Sequence, residues 1–443
     1  MPSIRDLSLA DRIRHHARRL DGSHKDYDDL LDIIGNARFV LLGEATHGTQ
    51  EFYHERALIT QRLILEKGFT GVAVEADWPD AWRVNRYVRG ESDDASAEQA
   101  LEGFKRFPTW MWRNTEVVDF VEWLRGYNDA HAETVGFYGL DLYSMFGSIS
   151  EVLRFLDQTD PEAARQARAR YSCFDHYGED TQHYGYATGI GMSDSCERAV
   201  LQQLRDLQTR ATEYAQTAGH DAFFAAQQNA RLVLNAEEYY RTMFRGRVSS
   251  WNLRDRHMAE TLEALDEHLG AQAGKPPKLV VWEHNSHIGD ARATEVGRLG
   301  EWNVGQLARE HWGKDDVRLI GFSTYHGYVT AASAWDEPPQ RKRVNPGLPH
   351  SYEDIFHQVG LDRFSVNLRE RNQATEALHE GRLQRAIGVV YLPRTERQSH
   401  YFHARLTDQF DAMIHIDETE AVEPLESPAD QRGEAPETFP SGL

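Results

Sequence analysis

A chain of 443 residues, 40% hydrophobic, 11% aromatic and 27% charged, has the balance of a folded globular protein. At roughly 150 residues per domain, that length allows two or three domains or one large α/β domain with insertions. Seventy acidic against 49 basic residues leave a formal charge of −21, which repels phosphate backbones and anionic lipid and excludes generic nucleic-acid binding.

In chain order, residues 38–43 (RFVLLG) form a short apolar, β-branched run ending in glycine, and 50–67 then shows helical spacing through Phe52, Ala57, Leu58, Leu63, Ile64 and Leu65. The strand-then-helix pattern repeats with 71–75 (GVAVE) before 79–89 and with 134–141 (TVGFYGLD) before 145–158. Further strand-like runs follow at 278–283, 316–322 and 385–391. This alternation predicts an α/β fold with a largely parallel sheet flanked by helices.

Between the third and fourth strands, roughly 150–270 contains no convincing strand and reads as an inserted helical lobe. Its clearest amphipathic pieces are 221–245 and 251–270, the latter with Ser249 or Ser250 as the expected N-cap. Residues 172–195, rich in Gly, His, Tyr and Asp, read as a long loop of the kind that forms lids. The stretch from Glu418 is acidic and proline-rich, and a loose tail is expected. The organisation is thus a first part of the core over 1–150, a helical lobe over 151–275, a second part of the core over 276–417 and a tail over 418–443.

No apolar run approaches the ~18 residues of a spanning helix, and the N-terminal MPSIRDLSLADRIRHHARRL lacks an apolar signal core. The two cysteines, Cys173 and Cys196, are too few for a disulfide framework and wrongly spaced for a cysteine zinc site. A reducing cytoplasm, without membrane association, is the expectation.

Several apolar strands run directly into acids or histidines: LLG into Glu44 and His47, VAV into Glu75 and Asp77, FYGL into Asp141, and VVW into Glu283, His284 and His287. In open parallel sheets, ligands bind in the crevice outside the carboxyl ends of the strands, so these groups are expected to converge. Glu44 and His47 are three apart in a glycine-bounded turn, where the carboxylate can orient the imidazole. His284 and His287 are also three apart and share a face if the segment is helical. Asp77 and Asp141 read equally well as N-caps of the helices that follow. His400 and Tyr401, in RQSHYFHARL, read either as one side of the pocket or as a packed edge, and Trp110, Trp112, Tyr143 and Trp251 are candidates for an apolar wall. Serine-hydrolase, zincin and nucleotide-binding motifs (GxSxG, HExxH, GxxxxGK[ST]) are absent.

Taken together, GEATHGTQEFYHER (43–56), VAVEADWP (72–79), YGLDLYS (138–144) and WEHNSHIGDAR (282–292) resemble the erythromycin esterase family. The resemblance implies an α/β core with a helical lobe and hydrolysis of a macrolide's lactone ester by water activated on a histidine. Carried over position by position, it puts the general base on His47 and its partner carboxylate on Glu44. It also marks Glu75, His284, His287 and Arg56 as functional positions. The YSCFDHYGED and MFRGRVSSWNLRDRHM stretches and the RQSHYF block depart from the resistance esterases and leave the substrate open.

The expected mechanism has His284 or His287, with Arg56, stabilising the oxyanion and protonating the leaving alkoxide, while Glu75 tunes the histidines or positions the water. Asp141, Tyr143, Trp110, Trp112, His400 and Tyr401 are candidates for binding a small-molecule ester or lactone. No cofactor is required on this reading. Two alternatives use the same residues: a divalent metal on His47, His284 and His287 giving metal-assisted hydrolysis, and a non-catalytic protein whose histidines hold haem or another cofactor.

Overall fold

The computed structural model describes residues 8–23, 25–177, 180–189, 191–243 and 246–426. Its strands, in chain order, are β1 (Arg18–Arg19), β2 (Phe39–Leu42), β3 (Gly71–Asp77), β4 (Gly136–Asp141), β5 (Leu279–Trp282), β6 (Val317–Ala331), β7 (Gln340–Val344), β8 (Arg363–Asn367), β9 (Arg382–Arg385), β10 (Tyr401–Ala404) and β11 (Ala412–Thr419). Nine of them form one sheet in the order β1-β8-β11-β6-β2-β5-β3-β4, with β7 paired to β6 off this path. The six neighbours from β11 to β4 run parallel, whereas β1, β7 and β8 pair antiparallel. The expected α/β class with a largely parallel sheet is what forms.

The strands alternate between two buried faces, as a period of two requires when helices cover both sides. Phe39, Leu41, Ala73, Leu279 and Val281 belong to one apolar cluster, and Val40, Leu42, Val72, Val280 and Trp282 to the other. Helix Gln50–Lys67 follows β2 and stops at Gly68, whose left-handed φ of 69° suits a residue without a Cβ. Between β4 and β5 the chain is helical, from Met145–Thr159 to Arg247–Ala273, and its apolar residues join the first cluster. Among the described residues, no helix is long and apolar enough to cross a membrane.

Some elements differ from expectation. Residues 385–391 are not a strand of the main sheet: Arg385 ends β9, which pairs only with β10, and Ile387 and Val390 make single bridges to Thr46 and Ala332. Their apolar character comes from burial under loops, which a short apolar run cannot distinguish from a sheet core. Residues 172–195 are not a lid loop. They contain a 3₁₀ turn, Ser172–Tyr177, and a helix, Thr181–Gly189, whose Phe174 and Tyr184 rings lie 5.1 Å apart inside the lobe.

Cys173 and Cys196 are joined in a disulfide across this segment, so the cysteines no longer argue for a reducing compartment. Helix Arg247–Ala273 begins before Ser249 and Ser250 and has Gly246 at its cap position, because the helix reaches a turn further back than its apolar stripe. At the other end, β11 runs through Glu418. Ala421 bridges Thr49 and Pro424 bridges Asn114, so residues 418–426 are not part of a loose tail, and the rest of the expected tail, from residue 427 on, lies outside the described residues.

Gly48 fixes the turn after β2. Its carbonyl accepts hydrogen bonds from Thr330 N (3.0 Å) and Val422 N (2.9 Å), and a Cβ there would overlap the Thr330 backbone carbonyl. Gly126, inside helix Thr115–Ala130, faces open space. Gly48→Ala is expected to destabilise the protein by about 1–3 kcal/mol through overpacking, whereas Gly126→Ala is neutral or stabilising by up to about 1 kcal/mol through helix propensity. Scanning calorimetry of the two variants checks the contrast.

Candidate active site

The carboxyl ends of β2, β5, β3 and β4 lie side by side in the sheet, and each delivers ionisable groups to one cleft. After β2, the turn carries Glu44 and His47. His47 Nδ1 donates to Glu44 Oε1 at 2.8 Å, and Arg56 Nη2 donates to Glu44 Oε2 at 2.6 Å. With Nδ1 tied to an anion, Nε2 is the nitrogen left to act as a base. His47 lines the cleft and holds Nε2 4.0 Å from Glu75 Oε1.

Arg56 does not reach the cleft. It is 1% exposed, packed near the rings of Tyr53 and Trp282, with Nε bonded to the Phe52 carbonyl. Its expected place on the oxyanion is therefore corrected: Arg56 holds Glu44, and Glu44 holds His47.

Glu75 is aimed by an irregularity between β3 and β4. Val74 pairs with Gly139 but Asp77 with Asp141, so three steps on one strand oppose two on the other. Gly139 permits this, since a Cβ there would press on the Ala76 and Asp77 carbonyls. Glu75 Oε2 accepts from His284 N at 2.8 Å, and Oε1 accepts from Arg254 Nη2 at 2.7 Å. Burial disfavours its charge, but the neighbouring charges of His287, His47 and Arg254 outweigh burial and hold Glu75 well below the usual carboxylate range.

After β5, His287 repeats the arrangement of His47 with a partner distant in sequence. Its Nδ1 lies 3.0 Å from both oxygens of Asp255, and the ring of Trp251 stacks on it at 4.5 Å and 6°. Nε2 accepts from Arg254 Nη1 at 3.0 Å and lies 3.5 Å from Glu75 Oε1, the partner available when this nitrogen carries a proton. Burial works against the imidazolium, yet Asp255 and Glu75 prevail and raise the proton affinity of His287 above that of a free imidazole.

His284 behaves oppositely. It is buried beneath His47 with ring centroids 4.9 Å apart, its Nδ1 is bonded to Ser286 Oγ at 2.8 Å, and burial followed by the charge of His47 keeps it neutral. Glu283 is 1% exposed, and neither of its oxygens has a hydrogen-bond partner among the described residues. Burial, then the charges of Glu75 and Asp255, push its carboxyl well above the ordinary range, which favours its neutral form.

Of the other candidates, Asp141 lines the cleft and chelates Arg254, accepting at 3.0 and 2.7 Å, while Arg254 lies 5.0 Å from the Tyr143 ring centre. Asp77 occupies the N-cap position of helix Trp78–Val88 but does not cap it with its side chain, which binds Arg106 and accepts from Ser144 N. Trp112, Tyr143 and Trp251 line the cleft, but Trp110 stands behind it against Phe107, where apolar packing alone accounts for it. His400 and Tyr401 lie outside the cleft: His400 Nε2 accepts from Leu392 N and Tyr401 Oη from Leu348 N, bonds that build the packed edge around β10.

Among the described residues, no group of three or more His, Cys, Asp or Glu side chains could hold a metal. Between His287 and Glu75 the positive charge is already that of Arg254.

Arg106, Arg254 and Asp255 went unread in the sequence. A signal existed for the last: Asp255 continues the buried stripe Met258, Leu262, Leu265 and Leu269 at helical spacing, and an acid on an apolar stripe needs a buried partner.

The model of the family described as erythromycin esterase matches residues 64–419, starting beyond the Glu44–His47 turn. Erythromycin esterase type II of Escherichia coli is 23% identical over 341 residues, covering 74% of this chain and 78% of that protein. The putative hydrolase YbfO of Bacillus subtilis (strain 168) is 21% identical over 432 residues, covering 91% and 90%. Among solved structures, a succinoglycan biosynthesis protein superposes with a TM-score of 0.77 at 22% identity, covering 94% of this chain and 97% of that one. A variant of erythromycin esterase EreC in its open conformation gives 0.65 at 16%, covering 92% and 97%. These two likenesses show a shared fold. With the family model spanning most of its length and relatives named an esterase and a hydrolase, the chain belongs to the erythromycin esterase family, and a hydrolase of that family is the activity this supports.

Proposed function

We propose that the chain hydrolyses a carboxylic ester or macrolactone by attack of water activated on His47. The observation that carries this reading is an imidazole with one nitrogen held by a buried Glu44–Arg56 pair and the other facing a cleft, 4.0 Å from a second carboxylate. A water between His47 Nε2 and Glu75 gives its proton to Nε2, and its oxygen bonds to the substrate carbonyl carbon. The oxyanion that forms faces the positive charge of Arg254. When the carbon–oxygen bond to the leaving group breaks, the alkoxide takes a proton from His287 Nε2, and the products are an acid and an alcohol. Glu75, close to both imidazoles, stabilises whichever one is charged. General-base help of this kind contributes roughly 10²–10⁴-fold.

The walls favour a bulky, largely apolar substrate: Phe107, Trp112, Tyr143, Tyr239, Trp251 and Trp335 surround the carboxylates. A formal charge of −21 draws a cationic substrate, such as an amino-sugar macrolide, more readily than an anionic one.

Mass spectrometry of macrolides and simpler lactones after incubation is expected to show gain of one water with the wild type and none with His47→Ala. The variant should lose about 10²–10⁴-fold in turnover with little change in substrate affinity. Gain of water that survives His47→Ala overturns the assignment.

The pH profile tests the acid. His287 must carry a proton to act, so activity falls as pH rises through its raised pKa. Asp255→Asn removes the largest raising charge and is expected to move the alkaline limb of kcat/KM to lower pH by about one unit or more. A limb that stays in place assigns it to another group.

A further inference from the structure

A second pocket lies beyond Trp251 and is lined there by Ala291, Val296, Trp302, Ala386 and Phe402. Three segments border both spaces. Trp251 borders each, His287 faces the cleft where Ser286 faces the pocket, and Gly388 faces the cleft where Ala386 faces the pocket. The pocket is therefore separated from the catalytic imidazole by the thickness of one residue.

Three of its polar lining groups are turned into the wall. Ser286 Oγ is bonded to His284 Nδ1, Thr294 Oγ1 donates to Ala291 O at 2.7 Å and accepts from Gly297 N at 3.1 Å, and Asn303 Nδ2 donates to Ser286 O at 2.8 Å. Glu301 and Gln409, the latter with an Oε1 that has no hydrogen-bond partner among the described residues, also line it, but the rest of the lining (Trp251, Ala291, Val296, Trp302, Ala386 and Phe402) is apolar, which suits an apolar occupant. Trp302, which lines the pocket, carries the same character into solvent at 37% exposure. Trp251 divides the two spaces, its ring stacked on His287 and its Nε1 donating to Trp302 O at 2.9 Å.

We propose that this pocket is a second subsite of the catalytic cleft, reached past Trp251, that takes the aliphatic or aryl end of an ester substrate. This rests on the ester reading above and names the class of substrate: esters with an extended apolar group, discriminated by how far that group reaches beyond Trp251.

The test is a chain-length series of p-nitrophenyl esters from acetate to octanoate, with the wild type and Val296→Trp. Val296 sits half-buried on the short helix Glu295–Arg298, lines the pocket and does not line the catalytic cleft, so the variant is directed at the pocket. The wild-type kcat/KM is expected to rise roughly two- to fourfold per methylene until the pocket is full. Val296→Trp should keep the acetate rate and lose about tenfold or more on octanoate. An equal loss along the series, or an undiminished octanoate rate, overturns the subsite.

Calorimetric titration with 1-octanol reads the pocket without turnover. Binding by the wild type that disappears in Val296→Trp supports the pocket, and if no ester is hydrolysed the ester reading fails by itself. No binding by the wild type overturns the subsite.

Discussion

Glu75 holds the site together because a carboxylate cannot remain charged inside a protein without compensation. Removing such an ion from water carries an effective penalty of several kcal/mol even after relaxation, and here the compensation comes from three separate parts of the chain. The backbone N–H of His284 comes from the turn after β5, the guanidinium of Arg254 from the lobe, and the imidazoles of His47 and His287 from the ends of β2 and β5. Each donor is thereby positioned relative to the others, and the helical lobe is fastened to the sheet at the point where the chemistry is proposed to occur. Neutralising Glu75 would leave Arg254 short of one of its two carboxylates as well as freeing the imidazoles.

The two imidazole–carboxylate pairs on either side of Glu75 are built differently, and the difference bears on their roles. Glu44 and His47 belong to one turn, with Arg56 sharing the charge of the carboxylate, so His47 is oriented without a full negative charge devoted to it. Asp255 reaches His287 from another element and is fully buried, so less of its charge is dissipated. Together with Glu75 it raises the proton affinity of His287. Two histidines of the same chemical type can thus serve as base and acid, because their environments differ. His284, between them in sequence, is kept neutral by burial and completes the packing beneath His47.

What the sequence discloses of this site follows from range. The Glu44–His47 pair is visible because its members are three residues apart, and the convergence of Glu75, Asp141 and His287 is visible because parallel strands place their carboxyl ends together. The lobe's contribution is not local. Arg254 meets Glu75 across 179 positions and Asp255 meets His287 across 32, and no periodicity reports such a pairing. Arg56 misleads for a related reason: it lies on the helix nearest the catalytic turn, but its side chain reaches back into the core instead of out to the cleft. The apolar stretch 385–391 and the aromatic block at His400 and Tyr401 show the same limit for strands, since burial beneath loops and burial in a sheet select the same residue types.

One helical turn of the lobe carries Trp251, Arg254 and Asp255, and this couples substrate fit to proton affinity. Trp251 walls the cleft while stacking on His287, Asp255 sets the charge of that imidazole, and Arg254 bridges Asp141 to Glu75. A change that enlarges the cleft at Trp251 removes a face of His287 and admits water beside it, weakening the interactions with Asp255 and Glu75 that depend on a dry site. Selectivity at this wall cannot be altered independently of the acid. Another part of the wall, where Phe107 packs on Trp335, carries no hydrogen bond to either dyad, so changes of shape there are expected to leave proton transfer intact.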